Sequence, residues 1–259
     1  DRVLLQPDPT ALVHRDAQPR RLREHHRCMI TTRTRPENRG KLRGLTNATE
    51  SIVAYLRSKF RYIEVVVPVF AMSAGTMISL ASQRVVMGRQ SQLGPIDPQM
   101  AFGGRFVSAR AIVDQFERAK ADVLGDQTLA HLWAPILQSL GPALLQEAQN
   151  ALQYGEKMVS QWLAEQMFRR RANRNELGAT VAKHFNDAGV HLSHGRRIDR
   201  TEARGQKLVI EDLERDQALQ EAVLSAYHLA TIAFEQSPTS KMIWTNTNRT
   251  WVKSWVPGP

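Results

Sequence analysis

An α/β fold with a largely helical C-terminal half is the class this 259-residue sequence predicts. Three observations carry that expectation. Residues 46–104 alternate between helix-like and strand-like patterning. Residues 105–236 are dominated by amphipathic helical stretches. A hydrophobic content of 42% supplies enough apolar material for one sizeable core.

Residues 1–45 read as a basic arm in which proline, arginine and polar residues dominate, with periodic patterning only in short pieces such as 28–32. From residue 46 to 259 the chain reads as one domain. Asn47 or Thr49 can cap a helix over Glu50–Lys59, whose apolar side would be Ile52, Val53, Tyr55, Leu56 and Phe60. Ile63–Phe70 is β-branched and aromatic, broken only by Pro68, and reads as a buried strand. Ala74 opens a helix of small residues, Arg84–Met87 forms a second short strand, and a loop follows that ends in LGPIDPQ. Further helices are expected near Val107–Val123, Leu129–Leu137, Ala143–Met167, Ala179–Asn186 and Leu213–Phe234. The tail from Ser237 carries Trp244, Trp251 and Trp255 among polar residues and reads as a docking or packing strand. No internal repeat is present.

The net charge of +10 suggests nucleic acid, but its distribution argues otherwise. Residues 1–45 hold eleven Arg and Lys against five Asp and Glu, so +6 of the excess sits in the arm. The remaining residues carry an ordinary +4. Few aromatics interleave with the arginines, which removes the stacking expected of a single-strand binder. The single cysteine, Cys28, excludes an internal disulfide framework and a multi-cysteine zinc site, and it fits a reducing, cytoplasmic compartment. The apolar run Val65–Ala81 contains Pro68, Ser73, Gly75, Thr76 and Ser79 and is barely long enough to span a bilayer. A buried strand–helix pair is therefore expected, with peripheral membrane contact left open.

Neither a phosphate-binding loop, nor GxGxxG, nor GxSxG occurs, and no cofactor or metal is expected. His25 and His26 lie in the arm without partner ligands. His191 and His194, in HLSHGRR, lack the further ligands that a metal requires and read as surface or hydrogen-bonded structural residues. His131 and His228 fall within helical patterns as packed or capping residues, and Glu211–Asp212 reads as a helix start. The chemistry concentrates at Ser73, where the hydrophobic β-run changes into the small-residue helix. A serine there either caps the helix or acts as a nucleophile on a first turn whose free N–H groups favour developing negative charge. From the junction alone, the cap is the simpler reading.

The wider window resembles the serine dehydrogenase proteinase family, a branch of the Clp-type and signal-peptide-peptidase-A-like serine peptidases. PVFAMSAGTMISLAS (68–82), VVMG (85–88) and SQLGPIDPQ (91–99) carry the resemblance. It extends more loosely through HLSHGRRI (191–198) and AYHLATIAF (226–234), and so covers about residues 46–250. The resemblance implies a Clp/crotonase-type fold of stacked ββα units with helices projecting for oligomer contact. It also implies a prokaryotic, homo-oligomeric serine endopeptidase acting on polypeptides, with Ser73 as the nucleophile that forms an acyl-enzyme.

The N–H of Ala74 follows the nucleophile and would serve as an oxyanion donor. Gly75 would let the helix approach its neighbours closely. In such folds a second donor comes from a Gly-Gly loop after an earlier strand, whereas residues 31–46 here read TTRTRPENRGKLRGLT, with isolated Gly40 and Gly44. A reading-frame change upstream of residue 46 would produce that break. Translation of the encoding DNA in its other frames tests it, since absence of a glycine-loop reading would exclude it. For the base, Clp-type relatives use a His–Asp pair and signal-peptide-peptidase-like relatives a downstream lysine. No histidine lies between Ser73 and His131. Asp97 falls near where the base would sit, but a carboxylate is a poor base for serine unless its pKa is raised, and it reads chiefly as a turn residue between Pro95 and Pro98. Lys120, 47 residues beyond Ser73, suits a Ser–Lys dyad if burial lowers its pKa. The expectation is thus a serine endopeptidase. The alternatives are an impaired member that binds peptides or assembles with active subunits, and a crotonase-like acyl-thioester enzyme.

Overall fold

The computed structural model describes residues 28–32, 45–102, 104–141 and 143–254, which belong to two compact units. One unit spans residues 36–215; the other joins 1–35 to 216–259. The Gly40 and Gly44 positions, His25–His26 and Trp255 lie outside the described residues. The first described element is β1 (Cys28–Thr32), the patterned piece of the basic arm.

The 36–215 unit opens with α1 (Leu45–Lys59). This helix begins earlier than a cap at Asn47 or Thr49 would allow: Asn47 lies inside it, and its carbonyl accepts the Ser51 hydroxyl at 3.0 Å. Val53 is buried, whereas Tyr55 is 62% exposed. Two helical positions differ by about 200° around the axis, so Tyr55 cannot share the inner face with Val53.

The valine run divides into β2 (Glu64–Val67) and β3 (Phe70–Ala71). Pro68, which has no N–H to give to a ladder, sits at the break. After α2 (Ala74–Leu80), β4 (Arg84–Met87) and β5 (Gln92–Leu93) divide in the same way. β2 pairs parallel with β4 in one sheet, and β3 pairs parallel with β5 in another. Ser91, fully buried, holds both bends. Its hydroxyl donates to the Val67 carbonyl at 2.5 Å and accepts the Gly88 N–H at 2.8 Å.

A hairpin of β6 (Gln99–Phe102) and β7 (Arg105–Ser108) follows. Phe102 faces Arg105 across its two-residue turn, where Gly104 takes a φ of 76°. The helix expected from Val107 therefore starts later, as α3 (Ala109–Gly125), with the Ser108 hydroxyl accepting the Arg110 N–H at 3.2 Å. Helices α4 (Ala130–Leu140), α5 (Leu144–Glu165) and α6 (Arg174–Asn186) complete the helical part. α6 begins five residues ahead of the expected start: its first turn is polar and lacks apolar periodicity, but Glu176 suits a helix N-terminus. α5 and α6 pack closely. A Cβ built on Gly178 would lie 2.6 Å from the Ser160 carbonyl oxygen. Leu80, Met87, Leu163, Phe168, Phe185 and Ile198 form the centre of the apolar core.

The unit closes with α7 (Ala188–His191), β8 (Ile198–Asp199), α8 (Arg200–Gly205) and β9 (Ile210–Asp212). β8 runs antiparallel to β5, and β9 runs parallel to β4. Glu211 and Asp212 are thus strand residues rather than a helix start. They are held there by ion pairs, Glu211 with Arg84 and Asp212 with Arg200 at 3.1 Å and Arg204 at 2.5 Å.

In the other unit, α9 (Gln217–Gln236) starts after a short 3-10 turn, because the Asp216 carboxylate accepts the Leu219 N–H at 2.9 Å and caps it. The tail forms β10 (Thr239–Thr245) and β11 (Thr250–Ser254), an antiparallel pair extended by β1. Trp251 lies opposite Ile243, and Trp244 opposite Thr250. Among the described residues, no helix is long and apolar enough to cross a membrane.

Candidate active site

Ser73 sits between β3 and α2 with φ 49° and ψ −110°. This is the positive-φ region that a non-glycine residue enters only where its surroundings hold it, at a cost of about 1–3 kcal/mol. The hydroxyl makes no capping hydrogen bond, so the simple cap reading of the junction is corrected. The sharp turn leaves Oγ free of partners among the described residues. The Met77 N–H reaches the Ser73 carbonyl at 2.9 Å, and the Gly75 N–H reaches the Met72 carbonyl at 2.9 Å. The Ala74 N–H between them has no acceptor among the described residues, leaving one donor beside Oγ for an oxyanion. Gly75 approaches β3 closely: a Cβ there would lie 3.2 Å from Ala71 Cβ.

The LGPIDPQ segment is fastened to this junction at Gly94 and to α6 at Ile96. The Gly94 N–H donates to Thr76 Oγ1 at 3.0 Å, and Thr76 Oγ1 donates to the Ala71 carbonyl at 2.6 Å. A Cβ on Gly94 would come within 2.3 Å of Met72 Cε, so glycine lets this segment lie against the residue before Ser73. The Ile96 N–H bonds the Phe185 carbonyl at 2.9 Å.

Asp97 lies in the extended link between Pro95 and Pro98, where no turn is formed, and its carboxylate is only 2% exposed. Oδ2 accepts the Gln99 amide at 2.7 Å, and Oδ1 lies 2.7 Å from His194 Nδ1. A carboxylate can only accept here, so Nδ1 carries the proton. The contact follows from register. Leu93 faces Ile198 in the antiparallel β5–β8 pair, so Asp97, four residues on, comes opposite His194, four residues before Ile198.

The other histidines divide clearly. His191, 3% exposed, donates from Nε2 to the His184 carbonyl at 2.8 Å and accepts Arg196 at Nδ1 at 3.1 Å. Arg196 also pairs with Glu202 at 2.6 Å. His184 stacks edge-on against His191, with ring centroids 5.0 Å apart. Burial, and then the neighbouring His191, hold the His184 ring below its ordinary value. His131 and His228 are exposed rather than packed. Lys120 is exposed on α3, beside buried Ala119. No group of three or more His, Cys, Asp or Glu that could hold a metal occurs among the described residues.

The site is thus a strained serine at a strand-to-helix junction of an α/β unit, with a free N–H at its side. Residues 41–139 match the model of the ClpP-like SDH-type serine proteinase family. Two relatives come from Methanocaldococcus jannaschii. Uncharacterized protein MJ0137 is 33% identical over 124 residues, which is 46% of this chain and 40% of the relative. Uncharacterized protein MJ1495 is 34% identical over 86 residues, 33% of this chain and 28% of the relative. The chain thus spans less than half the length of either curated relative. No solved structure matches it.

Proposed function

We propose that the chain is a serine endopeptidase that cleaves polypeptides through an acyl-enzyme on Ser73. Ser73 is the observation that carries this reading: a φ of 49° is tolerated where the hydroxyl is left free. Attack of Oγ on the scissile carbonyl places a negative oxygen beside the Ala74 N–H and the start of α2. The unpartnered N–H is preorganised for that charge rather than recruited during the reaction. The fold we infer is the Clp/crotonase type of stacked ββα units. β2–β3–α2 supplies one strand pair divided between two sheets with its helix, and β4–β5 repeats the division. The family match over residues 41–139 supports the same reading. Polypeptide substrate and a homo-oligomeric assembly come with it.

The test is a fluorophosphonate probe followed by peptide mapping, run beside hydrolysis of internally quenched peptides. One adduct on Ser73, absent from Ser73→Ala, together with serine-dependent peptide cleavage, is the expected outcome. An adduct on another residue, or none, would overturn the serine-nucleophile reading. Labelling of Ser73 without cleavage of any peptide, alongside turnover of an acyl-thioester, would replace the peptidase with an acyl-thioester enzyme.

A further inference from the structure

We infer that the face of the 36–215 unit opposite Ser73 is a docking surface for an anionic lipid bilayer, an inference independent of the acyl-enzyme reading above. β2, β4 and β9 run parallel, so all three start on one face, at Glu64, Arg84 and Ile210. From their far ends the chain continues into β3 and Ser73, and into β5 and the LGPIDPQ segment. The near ends collect what precedes each strand: the end of α1, the turn after α2 and the link after α8.

Hydrogen bonds join these pieces to the corner between α5 and α6. Arg57, at the end of α1, donates to the Trp162 carbonyl at 3.5 Å and pairs with Glu165 at 3.3 Å, both in the last turn of α5. Gln83 Nε2 donates to the Arg61 carbonyl at 3.3 Å and to Gln166 Oε1 at 2.5 Å. The Val209 N–H meets Met167 Sδ at 3.3 Å, and the Val209 carbonyl accepts the Val85 N–H at 3.0 Å. The chain just before β2, the α5–α6 corner and the chain just before β9 therefore border one another.

The charge on this surface is one-sided. Arg169, Arg170 and Arg171 form the corner after α5, Arg174 opens α6, and all four are exposed. Lys59 and Arg61 are exposed at the end of α1, as is Lys207 ahead of β9. None of these cations makes an ion pair with a described residue. The neighbouring acids are already committed, Glu64 and Glu211 to Arg84, and Glu165 to Arg57. Glu176, two residues past Arg174, is a single charge against the whole cluster. α1, α2 and α5 also end here, but a helix C-terminus carries only about half a negative charge. Capping the helices thus accounts for a minor part of the excess.

The surface suits a bilayer better than a nucleic acid. Its cations stand on helix ends and turns, whereas reading a duplex takes a helix or two-stranded ribbon laid in the groove. Among them lie Tyr62, 40% exposed, and Val209, 38% exposed, a ring and an apolar side chain of the kind that settles at headgroup depth. Clustered Lys and Arg are held by anionic headgroups at roughly fivefold in affinity per charge. With this face on the headgroups, the carboxyl ends of the strands, and Ser73 with them, point to the aqueous phase.

The experiment is flotation of the full chain with vesicles of equal parts phosphatidylglycerol and phosphatidylcholine, beside vesicles of phosphatidylcholine alone. Wild type should float with the anionic vesicles only, and 1 M salt, which cuts the screening length to about 3 Å, should release it. Arg169→Gln, Arg170→Gln and Arg171→Gln combined should weaken binding on the order of 100-fold, with Ser73 labelling by a fluorophosphonate unchanged. Arg105→Gln, Arg110→Gln and Arg118→Gln combined remove the same charge from β7 and α3 and should bind like wild type. Absence of flotation with anionic vesicles, or equal flotation with neutral ones, would overturn the surface without any variant. Wild-type binding by the corner variant, or equal loss in both variants, would overturn it as well. Tighter binding to a DNA duplex than to the anionic vesicles would replace the bilayer with a nucleic acid.

Discussion

Helix α3 and the loop between α7 and β8 each offer a nitrogen base downstream of Ser73, and they are built in opposite ways. Lys120 projects from a helix whose exposed face is laced by its own charges, Arg110 with Asp114 at 3.1 Å and Arg118 with Asp122 at 3.9 Å. Such pairs contribute little, and a lysine among them keeps its solvation and its rotamer freedom. His194 instead has one nitrogen fixed by a buried carboxylate, and its loop is tied to a buried histidine and an arginine. Proton abstraction needs a group held in one orientation. The two regions thus differ in preorganisation.

The largest way to disturb the contrast is to remove the platform beneath the loop. Phe185 is fully buried, and its carbonyl receives the Ile96 N–H beside Asp97. Phe185→Ala should cost about 3–5 kcal/mol in urea unfolding. A loss below about 1 kcal/mol would mean that the α6 end does not support the site. A gentler cut is Arg196→Ala, which frees His191 and Glu202 while leaving Asp97 and His194 in place. Serine acylation should slow roughly tenfold, and amide exchange in 192–197 should rise while exchange in α3 stays unchanged. Unchanged exchange in the loop would show that the arginine bridge does not order it.

Acid provides the smallest and most graded perturbation. Burial, followed by the charge of His191, lowers the His184 pKa below its ordinary 6.5, so the folded chain resists a proton that the unfolded chain accepts. Stability from this group is complete above about pH 6.5 and is lost as pH falls through the lowered folded value. Urea midpoints at pH 7 and pH 5 should therefore diverge less in His184→Gln than in wild type. Equal divergence would assign the acid sensitivity elsewhere.

The strand-to-helix junction at Ser73 was readable in the sequence because every cue for it is local: a β-branched run, Ser73, then small residues. The division of that run is written in Pro68. Asp97 was recognisable as a residue of the loop near Ser73, but its contact with His194 was not, since that partner stands 97 positions away and is set by the β5–β8 register. No periodicity reports that register. The histidines of HLSHGRR consequently read as structural, which holds for His191 and misses the carboxylate contact of His194. Tyr55 and the start of α3 failed for simpler reasons, a wrong helical face and an unrecognised hairpin ahead of Ser108.

The Ser73 proposal needs a base from the fixed loop or from the exposed helix, and two variants at one pH separate these most directly. Lys120→Ala and His194→Ala would be compared for the rate of covalent modification at Ser73, with both confirmed folded by their unfolding midpoints. The expected result is a Lys120→Ala rate within about twofold of wild type and a His194→Ala rate lower by about two orders of magnitude or more. A wild-type rate in His194→Ala with a collapse in Lys120→Ala would contradict the account and return the base to α3.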